Sequence, residues 1–487
     1  MVDSVANILA IQAPASAKGD GITQDEIAKI RELFGIWNAH LMRNQEKSAY
    51  YNAEINVQNL QLAFKDDQVA RVVSPSVSWA AKAVDMLAER SQLDFYAFPS
   101  DKNGTQALLK TLYASNDLDN LYRQATISEL IHGCACFTVT RGDSIYGEPQ
   151  AVVNVYSALN SALKWNMRHK SVEYGMTITK TDADGTLTGI NLFTADEVLS
   201  LSRDDNTWTA TRYLHNMQRP LIEPIVYAPT IDNPLGKSRI SRTVRSIINN
   251  ALREDLRAEI SAEIFTVPQR YFLNVDTDQL KDNFKTYWNS YFLLSGDVDG
   301  ESAPTAGQFS PPGIQEHLSY KRALAAEFAG ETGIPLSSLG ITTDNPASAE
   351  AIMAAREDLI RQAEYLNQCN RPHMLNIARL MYAVAANKTY TEACAELAGV
   401  FPYFKRTDMP SRAAIADMAL KEVQSIPELS ETRTFLRQLF PDDAELTVLL
   451  DELKTTRESK ATDNLINQIA NSVSAKEKHA SQGPDET

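Results

Sequence analysis

The chain has 487 residues, 44% hydrophobic and 22% charged, with a formal net charge of −15 at pH 7. That is ordinary globular composition for roughly two to four domains, and it excludes tight, sequence-independent wrapping of nucleic acid, which needs a basic surface. Four cysteines, Cys134, Cys136, Cys369 and Cys394, make no disulfide framework in a chain this long, no run of about 18 apolar residues offers a membrane span, and no basic stretch followed by an apolar one opens the sequence.

Residues 1–24 are small and polar, and a flexible N-terminus is expected there. From Thr23 the pattern turns helical: Ile27, Ile30, Leu33, Phe34 and Trp37 recur at helical spacing, and Thr23 with Glu26 predicts a capping box. Further helices are expected over 66–90, with Trp79, Ala83, Met86 and Leu87 on one face, and over 104–132. From Ala135 the period becomes two. "CFTVT", "PQAVVNVY", "YGMTITKT", "GTLTGINLFT", "EVLSLSR", "TWTATRYL" and "EPIVYAP" read as strands separated by turn formers, a β-rich meander. Helix returns over 238–265. "VPQRYFLNVDTDQLKDNFKTYWNSYFLL" reads as strand, helix, strand, and "SGDVDGESAPTAGQFSPPG" as a loop. "IQEHLSYKRALAAEFAGETG" is a further helix. The polar segment after it, with Ser337, Ser338, Thr342, Thr343, Asp344 and Asn345, carries no Lys or Arg.

Asn345-Pro346 reads as a helix start, with Asn as N-cap and Pro at the first helical position, where no N–H is needed. The Ala-rich run that follows predicts a helix to about 387, long enough to bridge two domains. Pro372 lies inside it, and a kink is expected near 368–372. Shorter helices separated by Pro follow, and the charged, Ser-rich tail after about 473 is expected to be disordered.

Chemistry-bearing motifs are scarce. Gly236-Lys237-Ser238 precedes a helix, as in a phosphate-cradling loop, but the position where that pattern needs its first Gly holds Ile231. A β-to-helix turn with Ser238 as N-cap is the better reading. His132, Cys134 and Cys136 offer soft ligands at close spacing without a fourth, and Cys is a common small buried residue; no metal and no cofactor are assigned. No nucleophile elbow, zinc-protease motif, dinucleotide fingerprint or spaced acidic set appears, so no catalytic residue is assigned and the chain is read as not an enzyme.

The 238–265 helix has an apolar face (Ile240, Val244, Ile247, Ala251) and a roughly opposite basic one (Arg242, Arg245, Asn249, Arg253), with an acidic stripe of Asp255, Glu259 and Glu263 further along. One reading is a solvated mixed-charge surface. The other is a helix in a ring of copies, arginines on one flank meeting carboxylates of the next.

Four stretches carry a family likeness: "GKSRISRTVRSIINNALR", "AEIFTVPQRYFL", "ALAAEFAGETGIPLSSLGITTDNPASAEAI" and "AREDLIRQAEYLN". Their order over residues 30–400 resembles tailed-bacteriophage portal proteins, the head–tail connectors. The resemblance implies an α+β portal fold: wing at 25–235, stem helix at 236–266, small α/β clip at 267–313, second stem helix at 314–334, tunnel loop at 335–347, long kinked wing helix at 348–387, helical crown at 388–472 and disordered tail at 473–487. It implies a homo-oligomeric ring, typically of twelve subunits, at one capsid vertex of the virion, made in the bacterial host cytoplasm. Double-stranded DNA would pass through its channel without sequence readout. The implied partners are the terminase large subunit, the major capsid and scaffolding proteins and a head-completion adaptor; no membrane is involved. Arg253, Arg257, Glu259, Glu263, Lys321 and Arg322 would then line the channel or join subunits. The alternatives are an ATP-driven packaging motor or nuclease subunit, disfavoured by Ile231, and a head–tail adaptor or scaffold without a pore.

Overall fold

The computed structural model describes residues 18–55, 75–98, 104–204, 207–266, 270–273, 305–308, 314–341, 349–408, 412–440 and 446–456. The chain divides into two compact units, Met1–Thr407 and Asp408–Thr487.

Three hydrophobic cores organise the first unit. In one, the expected capping box starts helix α1 (Gln24–Tyr51): the Thr23 hydroxyl accepts from the Glu26 N–H at 3.3 Å, and the Glu26 carboxylate accepts from the Thr23 N–H. The apolar face of α1, Ile30, Leu33, Phe34 and Trp37, then covers a six-stranded sheet ordered β1-β9-β8-β7-β6-β5. Its strands are β1 (Lys18–Gly19), β5 (Ser161–Asn166), β6 (Ser171–Thr181), β7 (Leu187–Phe193), β8 (Glu197–Asp204) and β9 (Thr207–Leu214). The meander runs antiparallel from β5 to β9, and β1 joins β9 in parallel.

A second core holds the C-terminal end of α1, α2 (Trp79–Ala88), α5 (Arg242–Thr266), α6 (Gln315–Thr332) and the first half of α7 (Ala349–Ala386). The third joins β2 (Leu93–Ala97), α3 (Thr105–Ser115), α4 (Leu118–His132), α8 (Tyr390–Glu396) and β13 (Phe401–Phe404) to the second half of α7. It also includes the sheet β10-β3-β4, made by β10 (Ile222–Val226), β3 (Cys134–Arg141) and β4 (Ala151–Ser157). Helix α7 therefore belongs to two cores: Leu359, Ala363 and Leu366 to one, Met374, Ile377 and Met381 to the other. The expected bridging role rests on that division, with Pro372 between the two sets.

Several expectations change. Residues 75–78 are not helical, so α2 begins at Trp79. The expected 104–132 helix is two helices, because Asp117 is left-handed (φ 49°) and Asn116 turns its side chain to β4: it donates to Ala151 O and accepts from Val153 N–H. Strand β5 lies in a stretch that read as no strand. The partner of β11 (Arg270–Leu273) is β12 (Thr305–Gln308), inside the expected loop; its Thr-Ala-Gly-Gln sequence has little strand propensity, and pairing makes it a strand. The N-cap of α5 is Ser241, not Ser238: the Ser241 Oγ accepts from the Val244 N–H at 3.1 Å. Residues 390–404 pack in the first unit, β13 pairing with β2.

In the second unit, α9 (Arg412–Ser425), a 3₁₀ turn at Pro427–Glu431, α10 (Arg433–Leu439) and a helix over 446–456 follow one another, and Arg433 donates to Thr447 at 3.1 Å.

Candidate subunit-contact and channel site

Helices α5 and α6 form an antiparallel hairpin. Ser241 at the head of α5 meets Glu331 at the end of α6 (3.4 Å), Asp255 meets Lys321 (2.6 Å), and Ser261 meets His317 (3.0 Å). The seam is apolar, with Val244, Ile247, Ala251 and Leu256 on one side and Leu324, Ala325 and Phe328 on the other. Burying such side chains stabilises the hairpin by about 1.5–3 kcal/mol each.

Farther along the hairpin two carboxylates are paired within the chain. Glu254 is buried and accepts from His317 Nδ1 (2.6 Å), and Arg257 reaches its other oxygen at 3.3 Å. Asp255 takes the Lys321 ammonium. Glu259 is exposed and lines a 470 Å³ cleft with Asp255, His317 and Lys321. Arg253 is half-buried and donates to Asn250 at 3.2 Å. Arg322 is exposed on α6, and the Glu263 side chain lies outside the described residues.

The head of α5 is locked by a residue that periodicity could not single out. Arg239 is 7% exposed. Its guanidinium donates to Ala83 O on α2 (2.7 Å), Thr332 O at the end of α6 (2.7 Å), Gln362 Oε1 on α7 (2.6 Å) and the Tyr227 hydroxyl (3.2 Å). Burial lowers its pKa, yet a guanidinium stays charged, and every acceptor is neutral. In sequence it is one of three arginines in "SRISRTVR"; only its packing distinguishes it.

The Gly236-Lys237-Ser238 turn holds no vacant phosphate cradle. The N–H of Gly236 donates to Asn233 O, that of Lys237 to Tyr227 O (2.9 Å) and that of Arg239 to Leu130 O (2.8 Å). Those donors are the ones a nucleotide-binding loop must leave free. Gly236 adopts φ 78°, and a Cβ there would run into the carbonyls of Tyr227 and Gly133. His132 ends α4 and Cys134 opens β3 after the left-handed Gly133. Burial lowers the His132 pKa to about 4 and raises that of Cys134 to about 11, and Cys136 is pushed up as well, so imidazole and thiols are neutral. Among the described residues no group of three His, Cys, Asp or Glu could hold a metal ion.

After α6, Gly333 (φ 67°) ends the helix against Gln362 of α7, and a 3₁₀ turn at Leu336–Leu339 leaves Ser337 exposed and Ser338 half-buried. Thr342, Thr343, Asp344 and Asn345, with the expected helix start at Asn345-Pro346, lie outside the described residues; α7 is described from Ala349. It continues through Pro372 without ending. Around this proline Asn367, Asn370, His373 and Asn376 form a polar seam at steps of three. Asn370 donates to Glu129 (2.9 Å), and Glu223 accepts from His373 (2.8 Å), Asn376 (2.9 Å) and Arg219 (2.7 Å). Burial raises the Glu129 pKa and favours the neutral acid; one of its oxygens has no partner among the described residues. For Glu223 burial acts the same way but is outweighed by His373 and Arg219, which hold its pKa below the usual range.

Residues 30–461 match the protein family described as phage portal protein, SPP1 Gp6-like. The chain is 22% identical over 331 residues to the portal protein of Mycobacterium phage L5, covering 66% of this chain and 67% of that protein. To the portal protein of Mycobacterium phage D29 it is 23% identical over 366 residues, 71% of each. Among solved structures it is similar to a chain in the virion of a native gene transfer agent particle (14% identity, 87% of this chain and 95% of that one, TM-score 0.42). It is also similar to one in the neck of that particle computed with C12 symmetry (15% identity, 76% and 89%, TM-score 0.39). A match over residues 30–461 covers most of the chain, and the protein therefore belongs to the SPP1 Gp6-like family of phage portal proteins.

Proposed function

We propose that this chain is the subunit of a ring, typically of twelve copies, at one capsid vertex, through which double-stranded DNA is packaged and ejected. The family match over residues 30–461 carries the reading. The α5–α6 hairpin supports it: a two-helix rod with an apolar seam and charged outer faces suits a stem repeated around an axis. The role is mechanical. A net charge of −15 fits a conduit that keeps phosphate from sticking, since many Lys/Arg contacts would release counterions and bind tightly.

In this reading residues 25–235 form the wing, 236–266 and 314–334 the stem, 335–347 the tunnel loop and 348–387 the long wing helix. Residues 267–313 form the clip that docks the terminase large subunit and later the head-completion protein. The crown begins at 408, because 390–404 pack with the first unit. Ser337, exposed on the turn that opens the tunnel loop, and the run after it, which carries one acid, Asp344, and no Lys or Arg, suit a collar near a polyanion.

Negative-stain images of purified protein should contain rings with a central hole; a population of solid monomers at micromolar concentration sinks the reading. A titration with ATP tests the motor alternative, and no saturable binding is expected, because the backbone donors of Gly236, Lys237 and Arg239 are already bonded. Pro372→Ala should restore a hydrogen bond to residue 368 and slow amide exchange over 368–376; unchanged exchange removes the proposed bend.

A further inference from the structure

The hairpin closes its charges at one end and leaves them open at the other. A cleft of about 500 Å³ between α1 and the head of α5 is lined by Arg43, Lys47, Lys237, Arg242 and Arg245, and by no carboxylate. Arg245 alone is paired, with Glu46 outside the lining. The Lys47 ammonium donates only to neutral groups, His132 O (3.2 Å) and Asn44 Oδ1 (3.4 Å). Arg43, Lys237 and Arg242 are exposed and have no ion pair among the described residues. Five cations around one hollow repel one another, and in a chain of net −15 they are a local exception.

A second feature lies at the same level of the hairpin. Glu327 and Glu331 are exposed in the last two turns of α6, a helix with no basic residue in its last turn. The 3.4 Å contact from Glu331 to Ser241 aligns them with the first turn of α5, which in turn holds Arg242 and no acid. Among the described residues neither carboxylate has an ion pair, and neither do Arg43, Lys237 and Arg242 of the cleft. A second copy can supply each set with its counter-charge.

The geometry points to the basic cleft at the head of α5 as the socket for the Glu327–Glu331 end of α6 from a second copy of this chain. This deepens the ring reading and rests on it. The contact is heterologous, since different surfaces meet, so each copy both gives and receives and the chain of contacts can close into a ring. It also moves the arginine–carboxylate contact expected from sequence away from Arg253 and Arg257, because Arg257 and Lys321 already have partners, Glu254 and Asp255, in their own chain.

The test is a charge swap on the full chain, read by mass photometry at low and moderate salt. Arg43→Glu/Arg242→Glu and, separately, Glu327→Arg/Glu331→Arg should each abolish rings at concentrations roughly tenfold above those at which the unaltered chain assembles. All four exposed sides are changed without touching a core residue, and circular dichroism checks folding. The combined quadruple variant should regain rings. Rings that persist in the double variants, or a quadruple variant that folds but does not reassemble, overturn the socket and leave the portal reading standing. Rings that persist while Arg43→Glu/Arg242→Glu loses low-salt retardation of a double-stranded oligonucleotide assign the cleft to phosphates and also overturn it. An unaltered chain that forms no ring defeats the portal reading itself.

Discussion

The two ends of the α5–α6 hairpin differ in how their charges are satisfied. Beyond the first turns of α5, His317, Arg257 and Lys321 answer Glu254 and Asp255 within the chain. At the head of α5, Arg239 donates to four neutral acceptors, and of the five cations lining the neighbouring cleft Arg245 alone has a carboxylate among the described residues. The same helix therefore has one end finished by folding and another that stays electrostatically incomplete. Opposite charges closed inside a chain contribute to its stability; those left open contribute to specificity toward a partner.

The comparison is broken most forcefully at Arg239. Arg239→Met leaves Ala83 O, Thr332 O and Gln362 without their donor and should destabilise the first unit by about 3–5 kcal/mol, read as a fall in the urea midpoint. A change under about 1 kcal/mol would mean that water replaces the guanidinium at low cost.

A smaller effect is expected at an internal ion cluster between α1 and the six-stranded sheet. Arg212 grips Glu26 through two bonds (2.5 and 2.8 Å) and Glu197 through a third (2.7 Å). Burial raises the Glu26 pKa, but the Arg212 bonds and those from Thr23 outweigh it and bring it to about 2. A depressed carboxylate pKa contributes stability that is present above the ordinary value of 4.5 and lost as pH falls toward 2. Glu26→Gln should cost about 2 kcal/mol at pH 7 and flatten the fall in melting temperature between pH 5 and pH 3, both at the order of magnitude one such shift allows. An acid limb as steep as before would show that other carboxylates govern it.

The smallest effect belongs to the Lys321–Asp255 pair between α6 and α5. Lys321 is partly exposed, so Lys321→Ala should cost at most about 1 kcal/mol and leave rings unchanged. Loss of rings there, with the head variants silent, would reverse the comparison.

Much of this was legible in sequence, for local reasons. The capping box at Thr23, the apolar face of α1 and the buried face Ile240, Val244, Ile247 and Ala251 follow from spacing alone. So did the seven strands named from their alternation. Strand β12 was not legible, because Thr-Ala-Gly-Gln becomes a strand only through β11. The break at Asn116-Asp117 depends on β4 accepting the Asn116 side chain, a partner about thirty-five residues away. Among candidate site residues, Lys321 and Arg257 were named through the family likeness, and no sequence feature pointed to Asp255 and Glu254 as their partners. Arg239, Glu129 and Glu223 carry no sequence signal: a buried charge looks like an exposed one until the elements around it are assembled.

Helix α7 has a mechanical consequence. Its 38 residues make a rod about 57 Å long, one half gripped by the core it shares with α5 and α6 and the other by the core that includes β10-β3-β4. Two bodies clamped to one beam cannot rock independently; either they translate together or the beam flexes where its own ladder is weakest. That place is the turn before Pro372, which lacks a donor, so a load applied at Ala349 is felt at Ala386 unless that turn yields first.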